Sequence, residues 1–189
     1  MKILILDNYD SFTYNLAHLV EKVSDIPFEV IKNDKISIAD IAHFSKILLS
    51  PGPGLPKDAG IMPELIKHYH ASKAIFGVCL GFQAIGEHFN SPLKNLETVF
   101  HGIATPINII QQDKIFDNCP SRFNVGRYHS WVIDAIKVDP QLIITAMDDQ
   151  NNIMAAKHTK FNITGVQFHP ESILSEHGET IIRNWIETS

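Results

Sequence analysis

The stretch Ile75-Phe76-Gly77-Val78-Cys79-Leu80-Gly81-Phe82-Gln83 runs an apolar segment into a cysteine with glycine two residues before it and two after it. A short apolar run bounded by a sharp turn reads as a strand buried on both faces. The residues after Cys79 read as a helix over 82–89. A strand that turns through glycines into a helix is the G-x-nucleophile-x-G elbow, where a Cβ at either flank would strike neighbouring backbone. Such a turn lifts the sulfur above the end of a sheet and sets it at a helix N-terminus, which favours a thiolate. The N–H of Leu80 then stands where an oxyanion would form. The alternative is a buried structural cysteine, which is common, but the paired glycines argue against it. Cys119, within Asp117-Asn118-Cys119-Pro120-Ser121, has no such setting and reads as an incidental loop thiol.

Outward from the elbow, the first half of the chain repeats the same unit. Apolar runs at 2–6, 28–32, 46–49 and 74–78 alternate with helical patterns at 13–23, 37–43 and 62–71. Ser11 or Thr13 is expected to cap the first helix. Strand–helix alternation of this kind builds an α/β fold: an open, mostly parallel, flavodoxin-like sheet with helices on both faces. From residue 93 the helical signals thin out. Runs at 107–110, 131–133, 142–146 and 154–158 point to a smaller antiparallel or mixed sheet region. Residues 162–168 form a last buried strand, and 181–186 a final helix.

A cysteine nucleophile needs a base, and the base needs an orienting group. Among ten histidines, His169 stands apart in Gln167-Phe168-His169-Pro170-Glu171, where an apolar strand ends. In extended backbone i and i+2 point to the same side, so His169 and Glu171 can share one pocket. Cys79 and His169 both end strands, and sites in such folds gather at the carboxyl ends of strands. His68 and His70 fall in a helical pattern, where i and i+2 diverge, and read as surface residues. A third constellation, Ser50-Pro51-Gly52-Pro53-Gly54, also follows an apolar run. It is rigid and leaves backbone N–H groups bare for an anion or oxyanion, or it is a tight connection only. It lacks the G-x-x-x-x-G-K-[ST] pattern of a phosphate loop.

Composition narrows the class. The chain has 189 residues, a formal net charge of -5 and 44% apolar residues. It is expected to be a single domain, residues 1–189, able to bury its own core. The charge points to neither nucleic acid nor an anionic membrane as partner. No apolar run approaches the roughly 20 residues that span a bilayer. Two cysteines and no signal-like N-terminus lead to the cytoplasm as the expected location, with reduced thiols. There is no zinc-type cluster, and neither a metal nor another cofactor is expected.

The segments 50–54, 77–83 and 169–171, in this order, resemble the class I (triad-type) glutamine amidotransferases. Leu6-Asp7-Asn8-Tyr9-Asp10-Ser11-Phe12-Thr13-Tyr14-Asn15, Pro56-Lys57-Asp58-Ala59-Gly60 and Arg127-Tyr128-His129-Ser130-Trp131 narrow the resemblance to the chorismate branch. There the glutaminase subunits of anthranilate synthase (component II) and of aminodeoxychorismate synthase belong. The resemblance runs end to end. It implies Cys79 as nucleophile toward L-glutamine, His169 as base and acid, and Glu171 as its orienting carboxylate. It further implies an oxyanion hole from the amides of Gly54 and Leu80. Gly52, Pro53, Gly54, Gln83, Ser130 and the backbone of Trp131 would hold the glutamine. The implied protein partner is a chorismate-using synthase subunit (component I) that receives the ammonia, toward tryptophan or folate. Three positions depart from the family pattern: Phe82 where histidine is usual, Ile103 where lysine is usual, and Trp131 where leucine is commoner.

Overall fold

The structure, a computed structural model, describes residues 1–188. Its strands and helices follow in chain order. They are β1 (Ile3–Asp7), α1 (Thr13–Val23), β2 (Phe28–Lys32), β3 (Lys46–Leu49), α2 (Met62–Tyr69), β4 (Ala74–Val78), α3 (Leu80–His88) and β5 (Leu93–Asn95). Then come β6 (Ile103–Ile109), β7 (Arg122–Arg127), β8 (Trp131–Ile133), β9 (Leu142–Asp148), β10 (Ile153–His158), β11 (Ile163–Val166) and α4 (Gly178–Glu187).

The main sheet has the order β2-β1-β3-β4-β11-β10-β9-β6-β7. From β2 to β11 neighbouring strands run parallel, and from β11 to β7 they run antiparallel. The antiparallel region expected from residue 93 onward is therefore mostly an extension of the same sheet. Only β5 and β8 form a separate two-stranded pair.

The run Ile3-Leu4-Ile5-Leu6 shows why the parallel half needs cover on both faces. Each of these side chains is fully buried. Ile3 and Ile5 face the core beneath α1 and α4, with Leu16, Val20, Ile181 and Trp185. Leu4 and Leu6 face the core beneath α2 and α3, with Leu65, Ile66, Ala84 and Ile85. Burial of each such side chain contributes roughly 1.5–3 kcal/mol. The chain leaves β1 toward β2 on one side and returns to β3 on the other. The carboxyl ends of β1 and β3 thus flank a switch point, the usual position of a ligand crevice.

Several local expectations change. Neither Ser11 nor Thr13 caps α1: Phe12 holds the cap position with no side-chain cap bond. Asp10 instead accepts from the Phe12 N–H at 2.7 Å, and Asp7 from the Thr13 hydroxyl at 2.9 Å. The helix expected over 37–43 is one 3₁₀ turn, Asp40–His43. Helix α3 starts directly after Cys79. Strand β6 begins four residues before the expected 107, and Pro106 inside it hid its first half. Among the described residues no helix is long and apolar enough to cross a membrane.

Candidate active site

Strand β4 delivers Cys79 to the turn, and the turn is strained. The Cys79 backbone sits at φ 51, ψ -102, a region that residues with a Cβ seldom occupy. Two bonds hold it there. Its N–H donates to the Val166 carbonyl at 2.9 Å, and its own carbonyl accepts from the Gln83 N–H at 3.0 Å. The flanking glycines are required by contact. A Cβ on Gly77 would lie 2.6 Å from the Gly81 carbonyl carbon, and one on Gly81 would lie 2.5 Å from the Leu49 carbonyl oxygen. The thiol is free, 6% exposed, and set at the first turn of α3.

His169 follows β11, its N–H donating to the Gly126 carbonyl at 3.0 Å. Its Nδ1 donates to Glu171 Oε1 at 2.7 Å, and both side chains are nearly or fully out of solvent. Phe12 and Tyr128 pack edge-on against the imidazole, with centroids 5.3 and 4.9 Å away. Burial alone would lower the proton affinity of His169, but the neighbouring Cys79 and Glu171 outweigh it and raise the imidazole well above its ordinary value. His169 Nε2 makes no hydrogen bond. A base nitrogen left without a partner is common in unliganded sites.

Cys79 opens into a cleft of about 220 Å³. Gly52, Pro53 and Gly54 line it, as do Leu80 and Gln83 and the segment Tyr128–Trp131. Every residue expected to hold the substrate or stabilise an oxyanion is therefore on one cleft, while His169 and Glu171 stand outside its lining. A larger cleft of about 600 Å³ borders Glu171, Phe12 and the start of α4, and shares only Tyr128 with the first.

Four further residues support the cleft. Arg127 and Asp148 form an ion pair at 2.7 Å, their side chains 2% and 4% exposed. The guanidinium lies 3.6 Å from the Phe100 ring centre and donates from Nε to His129 Nε2 at 3.1 Å. His129 Nδ1 in turn reaches the Trp131 carbonyl at 3.1 Å. That carbonyl also accepts from Gln83 Nε2 at 2.9 Å, so protein donors already occupy it. Gln167, fully buried, is the fourth. The i, i+2 rule that grouped His169 with Glu171 also puts Gln167 on their side of the strand, so its signal was present. Nothing local marks Asp148 as the partner of Arg127.

Other positions resolve simply. Phe82 is fully buried against Ile133, Ile153 and Ala156 and does not line the cleft, so the family's histidine position faces the core here. Ile103 is 46% exposed at the start of β6. Burial, then the nearby Asp117, push the Cys119 thiol up to about 11, which keeps it protonated and unreactive. Among the described residues no group of three or more His, Cys, Asp or Glu side chains could hold a metal.

Known proteins resemble this chain along almost its whole length. The chain is 45% identical over 186 residues to "Anthranilate synthase component 2" of Lactococcus lactis subsp. lactis, covering 97% of this chain and 93% of that protein. It is 40% identical over 192 residues to the protein of the same name in Pyropia yezoensis, covering 99% and 100%. A solved structure of a Thermoplasma acidophilum protein, described as one subunit of a GMP synthase, shares the fold. Its TM-score is 0.88 at 23% identity, covering 98% of this chain and 92% of that one. A solved glutamine amidotransferase of Thermotoga maritima aligns with a TM-score of 0.71 at 14% identity, covering 90% and 76%. The family model described as glutamine amidotransferase class-I matches residues 4–188, and the chain belongs to that family.

Proposed function

We propose that this protein is the glutaminase subunit of an anthranilate synthase, releasing ammonia from L-glutamine and delivering it to a chorismate-using synthase subunit. One observation carries the reading: Cys79, on a strained elbow, opens into the cleft lined by Gly52–Gly54 and Tyr128–Trp131. The pair His169–Glu171, closed at 2.7 Å, supports it.

The chemistry follows from the residues. The Cys79 thiolate attacks the carboxamide carbon of glutamine, and the carbonyl oxygen becomes an oxyanion facing the amides of Gly54 and Leu80. Such donors typically contribute about a hundredfold to a thousandfold each. The C–N bond breaks as His169 protonates the departing nitrogen, a task that suits an imidazole held protonated at neutral pH. Glu171 orients His169 and balances its charge. Water then attacks the glutamyl thioester, giving glutamate and free thiol. Gln83, Ser130 and the Trp131 backbone hold the amino-acid end of the substrate. The relatives' names support anthranilate as the product. Aminodeoxychorismate, for folate, is the alternative destination of the same ammonia. The reading sets the protein in the cytoplasm, where Cys79 stays reduced.

Glutamate release by the purified chain, alone and with its synthase partner, tests the proposal. Release is expected to be slow alone and faster with the partner, and to vanish in Cys79→Ser. Glutamine hydrolysis by Cys79→Ser at the parent rate would sink it. The aminated chorismate product formed with the partner separates the two destinations.

A further inference from the structure

Gln167 carries more than a core position requires. It lies one residue beyond β11, and its N–H donates to the Met154 carbonyl at 2.8 Å. Its side chain is fully buried. Gln167 Nε2 donates to Cys79 Sγ at 3.5 Å, and its Oε1 accepts from Gln83 Nε2 at 3.2 Å. Gln83 Nε2 also donates to the Trp131 carbonyl at 2.9 Å.

The direction of this chain is fixed from one end. A backbone carbonyl can only accept, so Gln83 must turn its NH₂ toward Trp131. That NH₂ then supplies Gln167 Oε1, and the Gln167 NH₂ must face the sulfur. A buried amide costs free energy unless both its ends are bonded. The Oε1 end is bonded to Gln83 whatever the state of the thiol. The other end meets a neutral thiol, which is a weak acceptor, or a thiolate, which is a strong one. His169, backed by Glu171, is the charged group that faces the same sulfur, and a donor aimed at the sulfur adds to its effect by favouring the charged form.

We propose that Gln167 is a positioning residue for the nucleophile: its side-chain amide stabilises the Cys79 thiolate and, through Gln83, ties the sulfur to the Trp131 carbonyl on the substrate segment. The proposal rests on the reading of Cys79 as the nucleophile. It gives Gln83 a second task besides holding glutamine. It also makes the reactivity of the sulfur depend on the position of the Tyr128–Trp131 wall.

The experiment reads the sulfur directly. The full-length chain is alkylated with iodoacetamide from pH 5 to 10, and the Cys79 peptide is followed by mass spectrometry, which separates it from the Cys119 peptide. Gln167→Met keeps the side-chain length and removes the donor. It is expected to move the pH–rate profile of Cys79 to higher pH and to slow alkylation about tenfold near neutrality. Turnover of glutamine is expected to fall in kcat more than it changes KM. Gln167→Glu puts a carboxylate beside the sulfur and displaces the profile further. Gln83→Met frees the Gln167 amide to rotate and displaces it less, in the same direction. An unmoved profile in folded Gln167→Met overturns the proposal. If that variant does not fold, an unmoved profile in Gln167→Glu does the same, and an unmoved profile in Gln83→Met removes the link to Trp131. Alkylation needs neither glutamine nor a partner. A displaced profile in a chain that never releases glutamate would sink the functional reading alone. An unmoved profile in an active glutaminase would sink this proposal alone.

Discussion

Arg127 donates from Nε to Nε2 of His129 at 3.1 Å, and that bond decides which imidazole nitrogen carries the proton. A guanidinium has no acceptor, so Nε2 must offer its lone pair and Nδ1 must hold the hydrogen. Nδ1 then donates to the Trp131 carbonyl at 3.1 Å. The wall of the cleft is set by a neutral histidine in one tautomer. Burial, followed by the Arg127 charge, pushes His129 down to about 3.

A pH dependence of stability follows. The folded value lies below the ordinary value of 6.5. Between pH 6.5 and about 3, the unfolded chain therefore binds a proton that the folded chain refuses. Stability is full above this window and is lost as the pH falls through it, by up to about 1.4 kcal/mol per pH unit from this group. His88 and His158, lowered chiefly by burial, act in the same direction, and His169, raised, acts against these three and offsets them only in part. The urea midpoint is expected to be lower at pH 5 than at pH 7, with a smaller difference in His129→Gln. Equal midpoints in the parent at the two pH values would contradict this.

The Arg127–Asp148 pair is buried, so removing one partner strands a charge. Asp148 also accepts from Asn152 Nδ2 at 2.9 Å, which adds to its importance. Asp148→Asn is expected to cost about 3–5 kcal/mol. It should also raise KM for glutamine, because His129 and Trp131 lose their anchor. Denaturant unfolding and steady-state kinetics check both halves. Replacing both partners by apolar side chains should restore more stability than activity.

Two glycines make a contrasting pair. Gly81→Ala drives a Cβ into the Leu49 backbone. The elbow must open, at a cost of about 2 kcal/mol or more, and glutaminase activity should fall at least a hundredfold. Gly54→Ala meets nothing within 4 Å, but its φ is +75. The expected cost is only about 1–2 kcal/mol of backbone strain. Urea midpoints of the two variants, measured side by side, test whether contact or conformation dominates at each site.

Glu171→Gln keeps the shape of the orienting group and removes its charge. Because Glu171 helps to raise His169, the imidazole should titrate lower in the variant. An NMR pH titration of the His169 ring reads this directly. Glutamine turnover should drop about 10²–10⁴-fold, with little change in the urea midpoint. A titration identical to that of the parent would refute the assigned role.

Much of the parallel half is legible because its signals are local. Four apolar runs separated by helical periods, and a cysteine between two glycines, each follow from the chemistry of a few consecutive residues. Strand β7 escapes the sequence reading although Phe123 and Val125 alternate correctly with exposed Arg122 and Asn124. Arg127 at its end looks like a solvated charge until Asp148 is known to face it. His70, expected at the surface, packs its ring against His88 and Phe161, with centroids 5.0 Å from each.

Residues close in sequence thus specify the elbow, the Gly52–Gly54 loop and the His169–Glu171 pair. Backbone sterics and strand alternation act over a few residues and are written in the local pattern. The donor on the Cys79 sulfur comes from 88 positions away, and the charge facing Arg127 from 21. Those partners follow from sheet order, register and exclusion of water. Such long-range factors exist only once the chain is folded, because a polar group must find its partner when burial removes the solvent.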